Sequence, residues 1–447
     1  MTDDWREGSE RLAPFLSARG RKIRMPEGIR VWGERAARAG GIDATMGVIR
    51  GPGALFDAAG DAETIAYLPG VREAFAAWTP NEVFPYAPVA GVGVFRERWR
   101  AWMAGKRTGG TGEEGADPGS LTLPVATAGV TGALCAVGLL VTGPDDPVLV
   151  PDRRWDGYDT TLGAVCGARL EPVRLLERGA WAIEAWAGAM RKAARRQGRV
   201  VCVINFPHNP TGYVPTAREV EAFAETAVEV AETTGAAVVI LCDDAYEGYV
   251  YTDRPRSSPF HRLVDRHPRV LPIKCDGITK ELLFWGGRLG AATTAFPESW
   301  GSGGRGSAET VWENKMSAVV RGTISSASTS VQVLVARLLS EPGALVEARR
   351  PVLDLLAERR DALVAALGTS AARAAFEPDP FHGGLFALLN LRRGDAVATA
   401  ERLLTERRIG VVPFRDDSIG LNALRVTYAT VPTDRIAEVV AAAASIV

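Results

Sequence analysis

The chain has 447 residues, 47% of them apolar, and a formal charge of −1 at pH 7. That length supports a large core in more than one domain, and the near-neutral balance excludes the basic footprint that nucleic acid or an acidic membrane surface would demand. Cys135, Cys166, Cys202, Cys242 and Cys275 never fall in a CxxC pair, Met1-Thr-Asp-Asp-Trp5 opens no basic-then-apolar leader, and no apolar run reaches membrane-spanning length; the expectation is a cytoplasmic protein with free thiols.

Along the chain, the first 80 or so residues carry Gly and Pro throughout and read as an irregular arm crossing other parts of the structure. Residues 105–120 and 301–307 are rich in Gly, Ser and charge and read as exposed loops. Each holds a formal GxGxxG match, at Gly110, Gly112 and Gly115 and at Gly301, Gly303 and Gly306. A dinucleotide fingerprint needs a strand before it, a helix after it and a ribose-binding acid further on. The first match lacks the flanking elements and no βαβ unit continues from the second, so neither reads as a nucleotide site.

Between about 120 and 297, apolar runs at 147–150, 200–205, 236–243 and 270–276 alternate with helical stretches at 130–141, 156–165, 180–195 and 216–234. The alternation predicts an α/β fold, a mostly parallel sheet covered by helices, with ligands beyond the carboxyl ends of its strands. After about 325, helices at 326–341 and 343–367 lead to strands near 384–391, 409–413 and 423–428 and a terminal helix from 432, a smaller α+β unit. The expected division is an N-terminal arm with part of the small domain over 1–84, a large domain over 85–325 and a small C-terminal domain over 326–447.

The polar signatures fall at strand ends. Asn205-Phe-Pro-His-Asn-Pro-Thr-Gly212 follows one buried run and turns an amide into a cleft. Cys242-Asp-Asp-Ala-Tyr246 offers a carboxylate and a phenol, and Thr279-Lys280 follows the run at 270–276, with Arg288 eight residues beyond the lysine. In this order the motifs resemble the class I/II aminotransferases, pyridoxal-5′-phosphate (PLP) enzymes of fold type I built like aspartate aminotransferase. The resemblance runs over residues 42–429.

The resemblance implies a role for each residue. Lys280 matches the lysine that holds PLP as a Schiff base and then shuttles a proton. Asp243, rather than the adjacent Asp244, matches the carboxylate paired with the pyridine nitrogen, and Tyr246 and Asn209 match partners of the cofactor's phenolic oxygen. Gly129, Val130 and Thr131, opening a helix, match the phosphate cup, joined by Thr279 and by the fork of Arg288. Where family members often carry Ser three residues before the lysine, this chain has Gly277, so one phosphate hydrogen bond is expected to be missing and reliance on Arg288 and Thr131 to be tighter. Trp155, in Pro151-Asp-Arg-Arg-Trp155, matches the ring stacked on the pyridine, a contact that adds about 1 kcal/mol beyond burial.

For substrate, Arg425 resembles the arginine that grips the α-carboxylate, Gly47 a glycine that lets backbone approach, and Asn209 a further carboxylate contact. Tyr86 matches a catalytic-site tyrosine that reaches the phosphate of the neighbouring subunit's PLP, which implies a homodimer. Arg321 sits where aspartate-type members place an arginine for a distal carboxylate, and dimer-interface structure is the alternative. His208 reads as a lining residue rather than a base.

The function implied is transfer of an amino group between an α-amino acid and a 2-oxo acid, with no metal, nucleic acid or membrane involved. The same residues serve elimination, cyclisation or carbon–carbon bond formation, including on S-adenosylmethionine-type substrates, because all begin at the same PLP adduct. A PLP-sensing regulator is a third reading; it calls for a DNA-binding helix pair that the first 80 residues do not show.

Overall fold

A computed structural model describes residues 13–26, 28–56, 63–106 and 118–447. Seven strands form the main sheet: β1 (Val125–Thr127), β2 (Pro147–Pro151), β3 (Arg169–Val173), β4 (Arg199–Asn205), β5 (Ala237–Asp243), β6 (Val270–Gly277) and β7 (Gly290–Thr294). Their spatial order is β1-β7-β6-β5-β4-β2-β3, and only β7 runs against its neighbours. The predicted strands therefore stand within one or two residues of their expected ends.

Both faces of the sheet are buried, and the period-two pattern assigns each side chain to a face. On β4, Val200, Cys202 and Ile204 pack into one cluster while Val201 and Val203 pack into another. On β5, Val238, Ile240 and Cys242 join the first cluster, and Val239 and Leu241 the second. The first face is covered by helices at Ile183–Gln197 and Ala217–Thr234, the second by Gly129–Val141, by the π-helix Asp159–Val165 and by Gly301–Thr323. Alternation carries Asp243, the last residue of β5, to the second face, over Gly129–Val141.

Helix ends follow local chemistry. Thr216 and Glu219 form a reciprocal capping box at the start of Ala217–Thr234, and Gly235 closes it in the left-handed region, φ 69°.

Two expectations need correction. Residues 301–307 are not a loop: the 23-residue helix Gly301–Thr323 begins at Gly301. The glycines there lack side chains to be read as a helical face, but Trp312, Met316 and Val320 further along pack on the sheet and anchor the whole helix. The N-terminal region is also less irregular than expected. Helix Ile29–Ala39 buries Trp32 and Ala36, and Ile42–Asp43 pairs in parallel with Ile409–Gly410. The GxGxxG match at Gly110, Gly112 and Gly115, and the segment Met1-Thr-Asp-Asp-Trp5, lie outside the described residues.

Beyond the main sheet, β8 (Phe376–Pro378), β9 (Phe386–Leu391), β10 (Val412–Asp416) and β11 (Leu421–Thr427) form an antiparallel sheet in the order β8-β9-β11-β10. Among the described residues no helix is long and apolar enough to cross a membrane.

Candidate active site

The carboxyl ends of β4, β5 and β6 deliver the predicted residues to one place. Asn205, closing β4, donates Nδ2 to the Asp243 carbonyl at 2.7 Å and accepts the Asn209 N–H at 2.8 Å. One amide thus ties the Asn-Pro-Thr-Gly turn to the end of β5. His208, inside that turn, is buried, meets Thr211 Oγ1 at 2.9 Å, and is pushed down to about 3 by burial and then by Arg153. Burial thus disfavours its charged form.

Asp243 and Asp244 are separated by their partners. Lys274, fully buried on β6, bonds Asp244 and, at 2.9 Å, Glu247, so Asp244 is already neutralised. Asp243 instead accepts the Tyr158 hydroxyl at 2.5 Å and the Ala245 N–H at 3.3 Å. Burial pushes the Asp243 carboxyl up to about 6, against the pull of the Tyr158 hydrogen bond. An anion held there without a cationic partner suits a ring nitrogen that needs a proton. Tyr158 escaped the sequence reading; it lies three residues beyond Trp155, and only the approach of the 152–165 segment to β5 reveals its partner. Trp155 stands edge-on to Tyr158, ring centroids 5.4 Å apart, which brings the indole to the same neighbourhood.

The two lysines of this region differ in kind. Burial opposes the charge on Lys274, but Asp244 and Glu247 outweigh it and hold the amine above its ordinary value. Lys280 has no carboxylate within ion-pair distance among the described residues, and its Nζ sits 4.9 Å over the Tyr246 ring. Burial pulls it down to about 8, with Arg288 pushing the same way and Asp243 opposing. Of the two, Lys280 is the amine that can act as a nucleophile near neutral pH.

Arg288 donates to Thr279 Oγ1 at 3.2 Å, and its guanidinium lies over Gly129 so closely that a Cβ there would come within 2.6 Å of it. Gly129 has φ 74°, which a side chain would also disfavour. The helix Gly129–Val141 starts at this point, and Val130 and Thr131 stand on its first turn, so helix N-terminus and guanidinium converge as an anion cradle. At Gly277 a Cβ would lie 2.7 Å from the Leu289 carbonyl oxygen and 2.9 Å from Gly290 Cα. Backbone occupies the room that a serine side chain would need, which accounts for that departure.

Arg425, on β11, is 1% exposed and has no carboxylate partner among the described residues. It donates to the Asn209 side-chain oxygen at 3.1 Å and to the Thr45 carbonyl, and its Nε has no hydrogen-bond acceptor among the described residues. Burial lowers it to about 10, partly offset by Tyr246 and Asp156. The guanidinium lies 4.3 Å over the Phe386 ring, which in turn meets the Tyr246 ring edge-on at 5.6 Å. A Cβ on Gly47 would come within 3.2 Å of Phe386 and 3.5 Å of the Tyr246 hydroxyl, so Gly47 borders the same hollow. Phe386 and Thr45 are further site residues that carry no motif of their own.

Two predicted residues are not brought to this place within the chain. Tyr86 is 93% exposed. Arg321, near the end of Gly301–Thr323, is exposed and donates to Ser325 Oγ at 2.6 Å.

A seven-stranded, mostly parallel sheet with these residues at its carboxyl ends has the architecture of PLP fold type I. Structures of an aminotransferase from Anaerococcus prevotii (TM-score 0.80, 19% identity, covering 97% of this chain and 99% of that one) and of the aspartate aminotransferase of Thermus thermophilus (TM-score 0.73, 22% identity, 97% and 99%) share the fold. The sequence pattern of the family described as "Aminotransferase class I and II" matches residues 60–442, and the chain belongs to that family. Among curated proteins it resembles a "Probable N-succinyldiaminopimelate aminotransferase DapC" of Mycobacterium tuberculosis, 35% identical over 146 residues, 32% of this chain. The match spans about a third of that relative's length (34%). An aspartate aminotransferase of Musicola paradisiaca is 23% identical over 65% of each chain.

Proposed function

We propose that the chain is a PLP-dependent aminotransferase that moves an amino group between an α-amino acid and a 2-oxo acid. The observation that carries this reading is the pairing of two unneutralised cations around Tyr246 and Phe386: an amine, Lys280, and a buried guanidinium, Arg425. Leaving a buried guanidinium without an anion is costly, and a substrate α-carboxylate supplies one.

The donor set fits PLP. Arg288, Thr279 and the N–H groups at Gly129, Val130 and Thr131 suit its phosphate, Asp243 its ring nitrogen, Tyr246 and Asn209 its phenolic oxygen, and Trp155 one ring face. When bound, PLP supplies an aldehyde carbon for an amine and a ring that stores negative charge. Lys280 Nζ would be the amine that holds the group through that carbon, and it would move the proton at the substrate Cα. Asp243, oriented by the Tyr158 hydroxyl, would hold the group's ring nitrogen and favour its protonated form. Arg425 grips the α-carboxylate and Asn209 supports it, while the absent side chain at Gly47 leaves the substrate room.

Tyr86 and Arg321 are read as contributions to the neighbouring subunit's site, which makes the working unit a homodimer. Their full or partial exposure in one chain supports that reading. In this reading Arg321 meets a distal carboxylate of a dicarboxylic substrate. Domain boundaries are placed near residues 85 and 325, because the main sheet lies within 125–294 and the second sheet within 376–427. The five free cysteines support a reducing, cytoplasmic setting.

The test is chemical. Borohydride should fix PLP on Lys280 of the wild-type protein, and Lys280→Ala should lose that adduct. The wild type with an amino-acid panel and 2-oxoglutarate should form glutamate. An adduct of undiminished yield in Lys280→Ala would overturn the assignment; an intact adduct with no amino transfer to any 2-oxo acid would overturn transamination alone.

A further inference from the structure

A chain of buried charges runs behind the site and takes no part in the chemistry described. It starts at Asp244, next to Asp243, and passes to Lys274, to Glu247 at 2.9 Å, to Lys106 at 2.6 Å and to Glu281 at 3.1 Å, next to Lys280. Asp244, Glu247, Lys274 and Glu281 are each 5% exposed or less. The signs alternate, so each ammonium stands between two carboxylates.

At its far end Glu281 collects donors from parts of the chain distant in sequence. Its Oε1 accepts Trp102 Nε1 at 3.1 Å, from the helix Gly93–Ala104, and an Arg349 guanidinium nitrogen at 2.9 Å, from the helix Pro342–Leu367; its Oε2 accepts Lys106. The turn that bears Lys280 is held from another side as well, since the Tyr249 hydroxyl donates to the Lys280 carbonyl at 2.6 Å. The backbone at Lys280 is thereby fixed, while its amine lies 4.9 Å over the Tyr246 ring.

Stability alone does not account for this arrangement. Replacing buried ion pairs by packed apolar groups is often neutral or stabilising, so a run of five such residues points to a need for geometry. A lysine that must reach the cofactor and then the substrate Cα needs a backbone anchor good to about 0.5 Å relative to the group that holds the ring. The chain of charges joins the neighbours of those two groups, Asp244 just beyond β5 and Glu281 in the turn Ile278–Glu281 that follows the adjacent strand β6.

We propose that Glu281 is a positioning residue for Lys280, tied through Lys106, Glu247 and Lys274 to the strand end that presents Asp243. This rests on the PLP reading above. Removing the Glu281 carboxylate frees the lysine-bearing turn, which also carries Thr279, and leaves Arg425 and the N–H groups at the start of Gly129–Val141 untouched. The effect then falls on steps that use the amine, not on substrate affinity.

The experiment uses the full chain and begins with the wild type, whose PLP adduct must form; no adduct there would sink the PLP reading itself, separately from this proposal. In Glu281→Ala, the rate at which PLP-free protein takes up PLP on Lys280, followed by absorbance, should fall at least tenfold. kcat should fall similarly while KM for the amino acid stays within twofold. Glu281→Gln keeps an oxygen for Trp102 and Arg349 and should recover most of the loss. Should Glu281→Ala fail to fold, Tyr249→Phe and Trp102→Phe each delete one hydrogen bond into the same turn and should slow uptake three- to tenfold at unchanged KM. Wild-type uptake and kcat in the folded variants, with only a lower melting temperature, would overturn the proposal, as would a rise in KM that matches the fall in kcat.

Discussion

Tyr158 and Asp243 meet because two strand ends and a π-helix converge, and neither residue alone announces the pair. The hydroxyl consumes one carboxylate oxygen at 2.5 Å, and the other accepts a weak backbone contact at 3.3 Å. On the facing side, Lys280 titrates near 8 because burial disfavours its charge. The neutral amine is the nucleophile, and it forms as pH rises through that value. The rate of PLP uptake should therefore climb with pH to a midpoint near 8 and level above it, in a stopped-flow absorbance titration. A midpoint near 10 would mean a solvated, ordinary lysine. Nothing in the Thr279-Lys280 dipeptide carries this information, since the shift comes from what surrounds it.

At the scale of elements, the anion cradle depends on how closely β7 approaches the start of Gly129–Val141. A Cβ at Gly290 would lie 2.3 Å from the Gly129 carbonyl carbon and 2.7 Å from the Val130 nitrogen, both backbone atoms that cannot swing aside. Gly290→Ala must push strand and helix apart, an overpacking cost of about 1–3 kcal/mol. We expect a melting temperature several degrees lower and PLP affinity weakened about tenfold, measured by thermal unfolding and by fluorescence titration. Wild-type affinity in the variant would show that the phosphate does not rest on this junction. Gly290 stands in a run of small residues, Gly290-Ala-Ala-Thr-Thr294, that reads as an ordinary strand, and its contact is visible only across the sheet.

Across the whole molecule, one chain leaves Tyr86 93% exposed, with Phe84 beside it 81% exposed. If both belong against a second subunit, a mixed dimer of Lys280→Ala and Tyr86→Phe chains contains one site with its own lysine and the partner's tyrosine. Such heterodimers should regain roughly a quarter to a half of wild-type activity, which is the share that one complete site of two supplies once random pairing is allowed for. Two inactive parents whose mixture stays inactive, with dimers confirmed by sedimentation, would place each site within a single chain.

Much of this was legible in the sequence for a physical reason. Strands buried on both faces read as short apolar runs, and a polar motif after such a run has only the strand's carboxyl end to occupy. That settled β2, β4, β5 and β6, the order of Asn209, Asp243, Lys280 and Arg288 along the chain, and the family. Reading failed where local composition and tertiary demand diverge. The glycine-rich start of Gly301–Thr323 has low helix propensity and is carried by packing further along. Spacing alone distinguishes Asp243 from Asp244 in the sequence, whereas in the structure Lys274 pairs with the second. Tyr158, Phe386, Thr45 and the groups that converge on Glu281 come from distant segments: Thr45 and Arg425 are 380 residues apart, Trp102 and Glu281 179. Their partners are set by the packing of helices and strands in space, which periodicity along the chain does not encode, so only the tertiary structure could decide which of many buried polar residues meet.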